Sequence, residues 1–356
     1  MNKGLLDLYT DYLISSFGLT TATGLSTLVG DTVSHDQISR FLGKEDLTSA
    51  NLWQLVKPLA RQIQREDGVL IVDDSIEAKP YTDESELICW HWDHTVNRSV
   101  KGINLLTCLY YSQEVALPVA FELVKKPDFI TDPKTGKQKR AARITKQEQY
   151  RQMLAVCVAN KLPFRYVLND SWFASAENMI YIKKTLEKDF VMPLKENRKV
   201  SMAAPNTPNR QFAQVSSVCL EANTLLTVWL EDVDFPLLLV KQVFTNEDGS
   251  EGIVYLVTSD TTLTADQIIT LYQKRWKVEE YHKSLKSNLS FAKSPTKTVR
   301  TQSNHIFTCL VAFVKMERFR IHTKLNHFAM KARLYQAALA SAYQQLQILK
   351  AECSAA

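Results

Sequence analysis

No apolar run in the 356 residues approaches the length of a membrane span. No charged segment leads into an apolar one at the start, so no secretory leader is expected and the protein is expected to be cytoplasmic. The six cysteines contain no CxxC pair, which argues against a disulfide framework and a thiolate zinc site; reduced thiols are expected. His91 and His94 lie close together, but no second His or Cys pair follows at zinc-finger spacing, which leaves them a structural or polar role. There is no internal repeat and no low-complexity tract. Strong charge of either sign is also missing: a net charge of +5 implies by itself no class of partner. What remains is an ordinary globular balance, 45% hydrophobic and 23% charged, in a chain long enough for two or three domains.

Glycine and proline are absent from one stretch where the absence is informative. Neither occurs between Thr264 and Ser294, so a helix is predicted there, with Thr264 as cap and Asp266 in its first turn. At about 100° per residue, Tyr272, Arg275, Glu279 and Lys286 share an arc of roughly 60°. Leu271, Val278 and Leu285 form an apolar stripe beside that arc, suited to a core. One carboxylate is thereby flanked along one face by three groups able to grip phosphate oxygens. Glu280 points about 100° away.

The modest positive charge is unevenly spread. Lys274, Arg275, Lys277, Lys283, Lys286, Lys293, Lys297 and Arg300 crowd one segment in which Glu279 and Glu280 are the acids. A second basic run extends from Lys134 through Lys137, Lys139 and Arg140 to Arg143. Such runs are usually solvated faces; two of them, one threaded by Tyr and Trp, favour nucleic acid.

Two apolar runs end in acids. Gly68-Val-Leu-Ile-Val72 leads into Asp73-Asp74-Ser75, and Phe164-Arg-Tyr-Val-Leu-Asn169 leads into Asp170, followed by Ser175 as a helix cap. An unalternating apolar run reads as a strand buried on both faces. Carboxylates at its end cost too much to bury bare, so they are exposed, paired or metal-bound. Alternation does not separate Asp73 from Asp74, because both faces of the run are apolar.

The spacing Y-(2)-R-(3)-E-(6)-K of Tyr272, Arg275, Glu279 and Lys286, after Asp73-Asp74-Ser75 and Asp170-Ser-Trp-Phe173, resembles the bacterial insertion-sequence transposases with an RNase H-like DDE core. The resemblance extends over about residues 65 to 320. It implies an α/β fold, an RNase H-like mixed sheet flanked by helices, with an N-terminal helical domain and a β-rich insertion. It implies Asp73, Asp170 and Glu279 as the catalytic carboxylates and Tyr272, Arg275 and Lys286 as contacts to the DNA backbone. Three carboxylates suit Mg²⁺ or Mn²⁺, and two such ions about 4 Å apart serve phosphodiester displacement. The partners implied are double-stranded DNA, as terminal inverted repeats and target, and a second copy of the chain in a homodimer; the location implied is the bacterial nucleoid.

On this reading residues 1–66 are a helical DNA-binding domain, with Ser34 and Gln37 as a capping box and Ser34, Gln37, Ser39 and Arg40 as ordinary candidates for contact. Residues 67–195 form the first part of the catalytic core, with a strand meander and a basic loop, Lys125 to Arg143, flexible when free. Residues 196–258 form the β-rich insertion, in which Trp229 is a base-stacking candidate by residue type alone and otherwise a core residue. Residues 259–320 complete the core with the Y-R-E-K helix, and 321–356 form a helical tail. The function implied is cut-and-paste transposition, cleaving element ends and joining them to target DNA. A metal-dependent nuclease or resolvase of the same fold, or a catalytically inactive DNA-binding derivative, would share these features.

Overall fold

Val69–Val72 and Val167-Leu168 are fully buried because they lie on neighbouring strands inside one mixed sheet. The computed structural model describes residues 1–94, 96–133, 136–246 and 248–355. In chain order the elements begin with helices α1 (Lys3–Ser15), α2 (Ala22–Leu28), α3 (His35–Gly43) and α4 (Ser49–Ile63). Strands β1 (Val69–Ala78), β2 (Cys89–Asp93), β3 (Arg98–Ser112), β4 (Val115–Leu123), β5 (Asp128–Thr131) and β6 (Gln138–Ala141) follow. Then come α5 (Lys146–Ala159), β7 (Tyr166–Asn169), α6 (Ala176–Ile180), β8 (Asp189–Leu194), β9 (Lys199–Val200) and β10 (Ala213–Gln214). The chain continues through β11 (Leu225–Val228), β12 (Leu237–Thr245), β13 (Glu251–Thr258), α7 (Ala265–Gln273), α8 (Trp276–Asn288), α9 (Val299–Thr323) and α10 (His327–Ala355). These residues fall into two compact units.

One unit comprises Val56–Ser75 and Asn104–Glu279. Its strands run in the order β11-β12-β13-β8-β7-β1-β3, with β4 beside β3. β1, β7 and β8 are parallel, and β8, β13, β12 and β11 alternate in direction. Parallel strands need covering on both faces. Here α5 packs on β4, and α7 packs on β8, β12 and β13. The result is the mixed sheet flanked by helices expected of an RNase H-like fold. The strands β11, β12 and β13, expected within an insertion, extend this main sheet, because Tyr255–Thr258 pairs with Val191–Leu194. Trp229 is half-buried, bridged through its backbone to Ser201. The basic stretch expected as a loop is a two-stranded ribbon, β5–β6; Lys134 lies outside the described residues.

The other unit comprises Met1–Leu55, Ile76–Ile103 and the chain from Glu280. Helix α3 opens on the predicted capping box, Gln37 N donating to Ser34 Oγ (3.3 Å) and Ser34 N to Gln37 Oε1 (2.9 Å). Helices α1 and α3 pack on α9. The contact is specified by buried polar bonds: Tyr9 Oη lies 3.1 Å from His305 Nδ1, and Asn304 Nδ2 donates to the carbonyls of Leu42 and Glu45, both at 2.7 Å. A further buried set ties α8, α9 and α10 together. Ser284 Oγ is 2.8 Å from His327 Nδ1, and His327 Nε2 is 2.9 Å from Glu317 Oε1. From Ala332 to Cys353 α10 is exposed. All six cysteines are free thiols. Among the described residues, no helix is long and apolar enough to cross a membrane.

Candidate active site

Register places the first two acids. Val72 of β1 stands opposite Asn169 of the parallel strand β7, so Asp73 and Asp170 are the next residues on adjacent chains, about 5 Å apart in the pairing direction. In an α/β sheet this carboxyl end of the parallel strands is where ligands bind. The strand carrying Asp73 does not end at the acids, as the sequence suggested. Pairing with β7 stops at Val72, while β1 itself runs on to Ala78.

Alternation along β1 sends Asp73 and Asp74 to different partners. Asp74 Oδ2 accepts from Asn104 Nδ2 (2.7 Å) and from Lys146 Nζ (2.9 Å). Asp73 Oδ2 instead faces Arg275 Nη1 at 3.4 Å. The same Nη1 lies 3.3 Å from Glu279 Oε1. Burial, then the neighbouring Asp170, pushes the Asp73 carboxyl up to about 8; Asp74 and Glu279 add to the shift and Arg275 opposes it. Asp170 is also raised, mainly by burial, although Phe173 and Trp172 donate their backbone N–H groups to its Oδ1 at 3.3 and 3.0 Å. This pocket is rich in acceptor oxygens and carries one guanidinium.

The guanidinium arrives through a break that the residues did not signal. One continuous helix was expected from Thr264; instead α7 ends at Gln273 and α8 starts at Trp276. Between them, Lys274, Arg275, Lys277 and Val278 each donate to the carbonyl three residues back. This tighter winding turns the chain at Arg275 and carries its side chain into the acids. Tyr272, on the last turn of α7, has its ring centroid 5.8 Å from Arg275 Cζ. Its hydroxyl is pushed up to about 12, first by burial. Glu279 occupies the first turn of α8, where the helix dipole favours an acid.

Asp73, Asp170, Glu279, Tyr272 and Arg275 therefore meet within one unit. Lys286 is described in the other, where its Nζ donates to the carbonyl of Ile76 at 3.2 Å. Sequence reasoning missed Asn104 and Lys146. The signal for Asn104 was a lone amide in the otherwise apolar run Ile103–Leu106; Lys146, one residue past a helix cap, carried none.

The donors suit a hard divalent cation, which takes carboxylate and carbonyl oxygens. Beside Asp74, the Oδ1 of Asn104 is buried without a hydrogen-bond partner, an acceptor oxygen in excess of local donors. Among the described residues, no three His, Cys, Asp or Glu side chains converge as a ready-made cage; Arg275 supplies the positive charge between Asp73 and Glu279 instead.

Comparison with known proteins gives two matching family models. Residues 2–214 match the family described as DDE superfamily endonuclease, and residues 124–314 match the transposase DDE domain. Each match covers more than half of the chain. No curated protein matches. The crystal structure of Kluyveromyces polysporus Argonaute with a guide RNA is similar at 11% identity, over 80% of this chain and 32% of that one, with a TM-score of 0.21. This chain thus spans about a third of the Argonaute chain.

Proposed function

The chain belongs to the DDE superfamily of endonucleases and transposase domains, and on that premise we propose that it is an insertion-sequence transposase, cutting DNA at element ends and joining the 3′-hydroxyls to target DNA. One observation carries the reading. Asp73 and Asp170 follow a matched pair on parallel strands, and a single guanidinium, Arg275, links Asp73 to Glu279. In this reading Asp73, Asp170 and Glu279 hold Mg²⁺ or Mn²⁺, one ion or two, which when bound lowers the pKa of the attacking hydroxyl and stabilises the departing oxygen.

The chain's own groups handle position and charge. The backbone bonds to Asp170 fix the direction of that carboxyl. Arg275 bridges Asp73 and Glu279 in the free protein and, because a guanidinium also matches phosphate oxygens, transfers to the DNA backbone when the substrate arrives. The Tyr272 hydroxyl keeps its proton at neutral pH and donates a hydrogen bond to a phosphate oxygen. Lys286 acts as a point charge on the same backbone. Such contacts position the DNA without reading its sequence, which falls to the N-terminal helices. The pairing of two ends calls for a homodimer. Leu339, Ala342, Leu346 and Leu349 on exposed α10 recur at intervals of three and four, as a helix–helix seam does.

The test is a cleavage and joining assay on the element's own terminal repeats with Mg²⁺, wild type beside Glu279→Gln. Nicking and strand transfer by the wild type, lost by at least about a hundredfold in the variant, are expected. Cleavage without joining would make the protein a nuclease; equal cleavage by both would remove Glu279 from the site.

A further inference from the structure

We propose that the β5–β6 ribbon is a DNA arm, which lies in a groove of the duplex next to the cleavage position and grips the phosphates on either side. The proposal rests on the endonuclease reading above and adds to it a surface that the carboxylate site does not contain.

Charge is the first observation. Lys125 to Arg143 contains seven basic and two acidic side chains, an excess equal to the +5 of the whole chain. The rest of the protein is therefore close to neutral in sum, and this segment is one of two basic concentrations in the chain, the other being Lys274 to Arg300. Both acids are already engaged. Arg143 forks onto Asp128 at 2.9 to 3.2 Å and Lys139 Nζ is 2.8 Å from Asp132. These pairs are exposed, and exposed pairs contribute little, so phosphate can replace the carboxylates without large loss.

Shape is the second. The ribbon forms its own two-stranded sheet, off the main one. It has no core face: Phe129 is 58% and Ile130 47% exposed. A ribbon of two strands is marginal alone in water. What braces this one is cross-strand pairing of a basic with an apolar side chain. Phe129 stands opposite Arg140, whose Cζ lies 4.4 Å from the ring centroid, and Ile130 stands opposite Lys139. Each face thus offers a cation and an apolar surface together, the combination met by phosphates and sugars along a groove. The major groove admits a two-stranded ribbon.

Position is the third. Both roots of the ribbon end beside Asp74, the neighbour on β1 of the pocket's Asp73. On the entering side Val124 N donates to the carbonyl of Asn104 (3.0 Å), whose side chain holds Asp74. On the leaving side Lys146 reaches the same carboxylate. From Val124 to Thr131 an extended chain spans about 23 Å, or roughly six to seven base pairs at 3.4 Å each. A duplex held in the pocket would have its flank within this reach.

The experiment measures binding apart from chemistry. Anisotropy of a labelled mixed-sequence duplex, without divalent metal, is followed across a salt series for the wild type, the triple variant Lys137→Gln/Lys139→Gln/Arg140→Gln, and the conservative Lys137→Arg/Lys139→Arg. A single strand of equal length is the second probe, and circular dichroism verifies folding. The triple variant is expected to bind the duplex at least about tenfold more weakly, with a salt slope reduced by about two to three, near one per lost phosphate contact. The arginine variant should bind as the wild type does. If the wild type binds the duplex and the triple variant matches it in affinity and slope, the ribbon proposal is overturned and the endonuclease reading is untouched. A ribbon-dependent preference for the single strand would also overturn it, since the groove would not be the site. Failure of the wild type to bind any duplex would bring down the endonuclease reading and the ribbon with it.

Discussion

Arg275 Nη1 and Asp73 Oδ2 lie 3.4 Å apart across 202 positions of sequence. The contact joins the turn between α7 and α8 to the central strand and leaves the most strongly shifted acid of the pocket beside its counter-charge. Arg275→Ala should therefore lower stability by about 1–3 kcal/mol, the range for a hydrogen bond to a charged group. Arg275→Lys should fall between, because a lysine reaches one carboxylate but not two. Urea unfolding measures both. Mg²⁺ should raise the melting temperature of Arg275→Ala more than that of the wild type, since the cation replaces the missing guanidinium.

The pH dependence of stability follows from Asp73. Its carboxyl is raised from the usual 3.8 to about 8 in the folded protein. Between those values the folded state retains a proton that the unfolded chain has lost, so stability falls as pH rises. Asp73→Asn removes this penalty. The variant should gain on the wild type progressively from about pH 4 to about pH 8 and by a constant amount above that. Melting curves across the range measure the gap; a gap that does not change with pH would mean that Asp73 is ionised throughout.

Asp73 and Asp74 are adjacent in sequence but differ in surroundings, and activity should separate them. Asp73→Asn should reduce metal-dependent cleavage at least about a hundredfold. Asp74→Asn leaves an amide able to face Asn104 and should retain activity within about tenfold, losing mainly its tie to Lys146. Steady cleavage assays on one substrate decide it, and the reverse order would move the site to the other face of β1.

Gly102 is required by a close approach of backbones. A Cβ there would lie 2.1 Å from the Glu77 carbonyl oxygen and 3.1 Å from Ala78 Cα. No side chain can move aside, so the end of β1 would have to shift. Gly102→Ala should cost about 3 kcal/mol or more. Gly18→Ala, with nothing within 4 Å, is the control and should be near neutral. Chemical denaturation of the two variants makes the comparison.

How far the fold and the site were legible depended on how local the governing physics is. The apolar runs ending at Asp73 and Asp170 could be read because burial on both faces leaves a continuous pattern. Ser34, Ser175 and Thr264 could be read as caps because a capping bond spans three residues. The break at Lys274–Arg275 could not. Its residues are good helix formers, and what accompanies the turn is a contact to a strand two hundred positions earlier. The β5–β6 ribbon read as a loop for a related reason: its cross-strand pairs, Phe129 on Arg140 and Ile130 on Lys139, replace the buried face from which strands are recognised. The extension of the sheet by β11, β12 and β13 was likewise hidden, since alternation reveals a strand but not its neighbour.

The pairing of Val69 with Tyr166 also has a consequence for biosynthesis. A ribosome adding about 5–20 residues per second delivers β1 roughly 5–20 seconds before the strand that will cover one of its edges. Throughout that interval Val69-Leu-Ile-Val72 is a sticky β-prone segment in a crowded cell. It is bracketed by Arg65-Glu66-Asp67 on one side and Asp73-Asp74 on the other, charged gatekeepers of the kind that discourage intermolecular strand pairing. The acids that line the pocket in the finished protein thus act earlier as a solubility guard on the nascent chain.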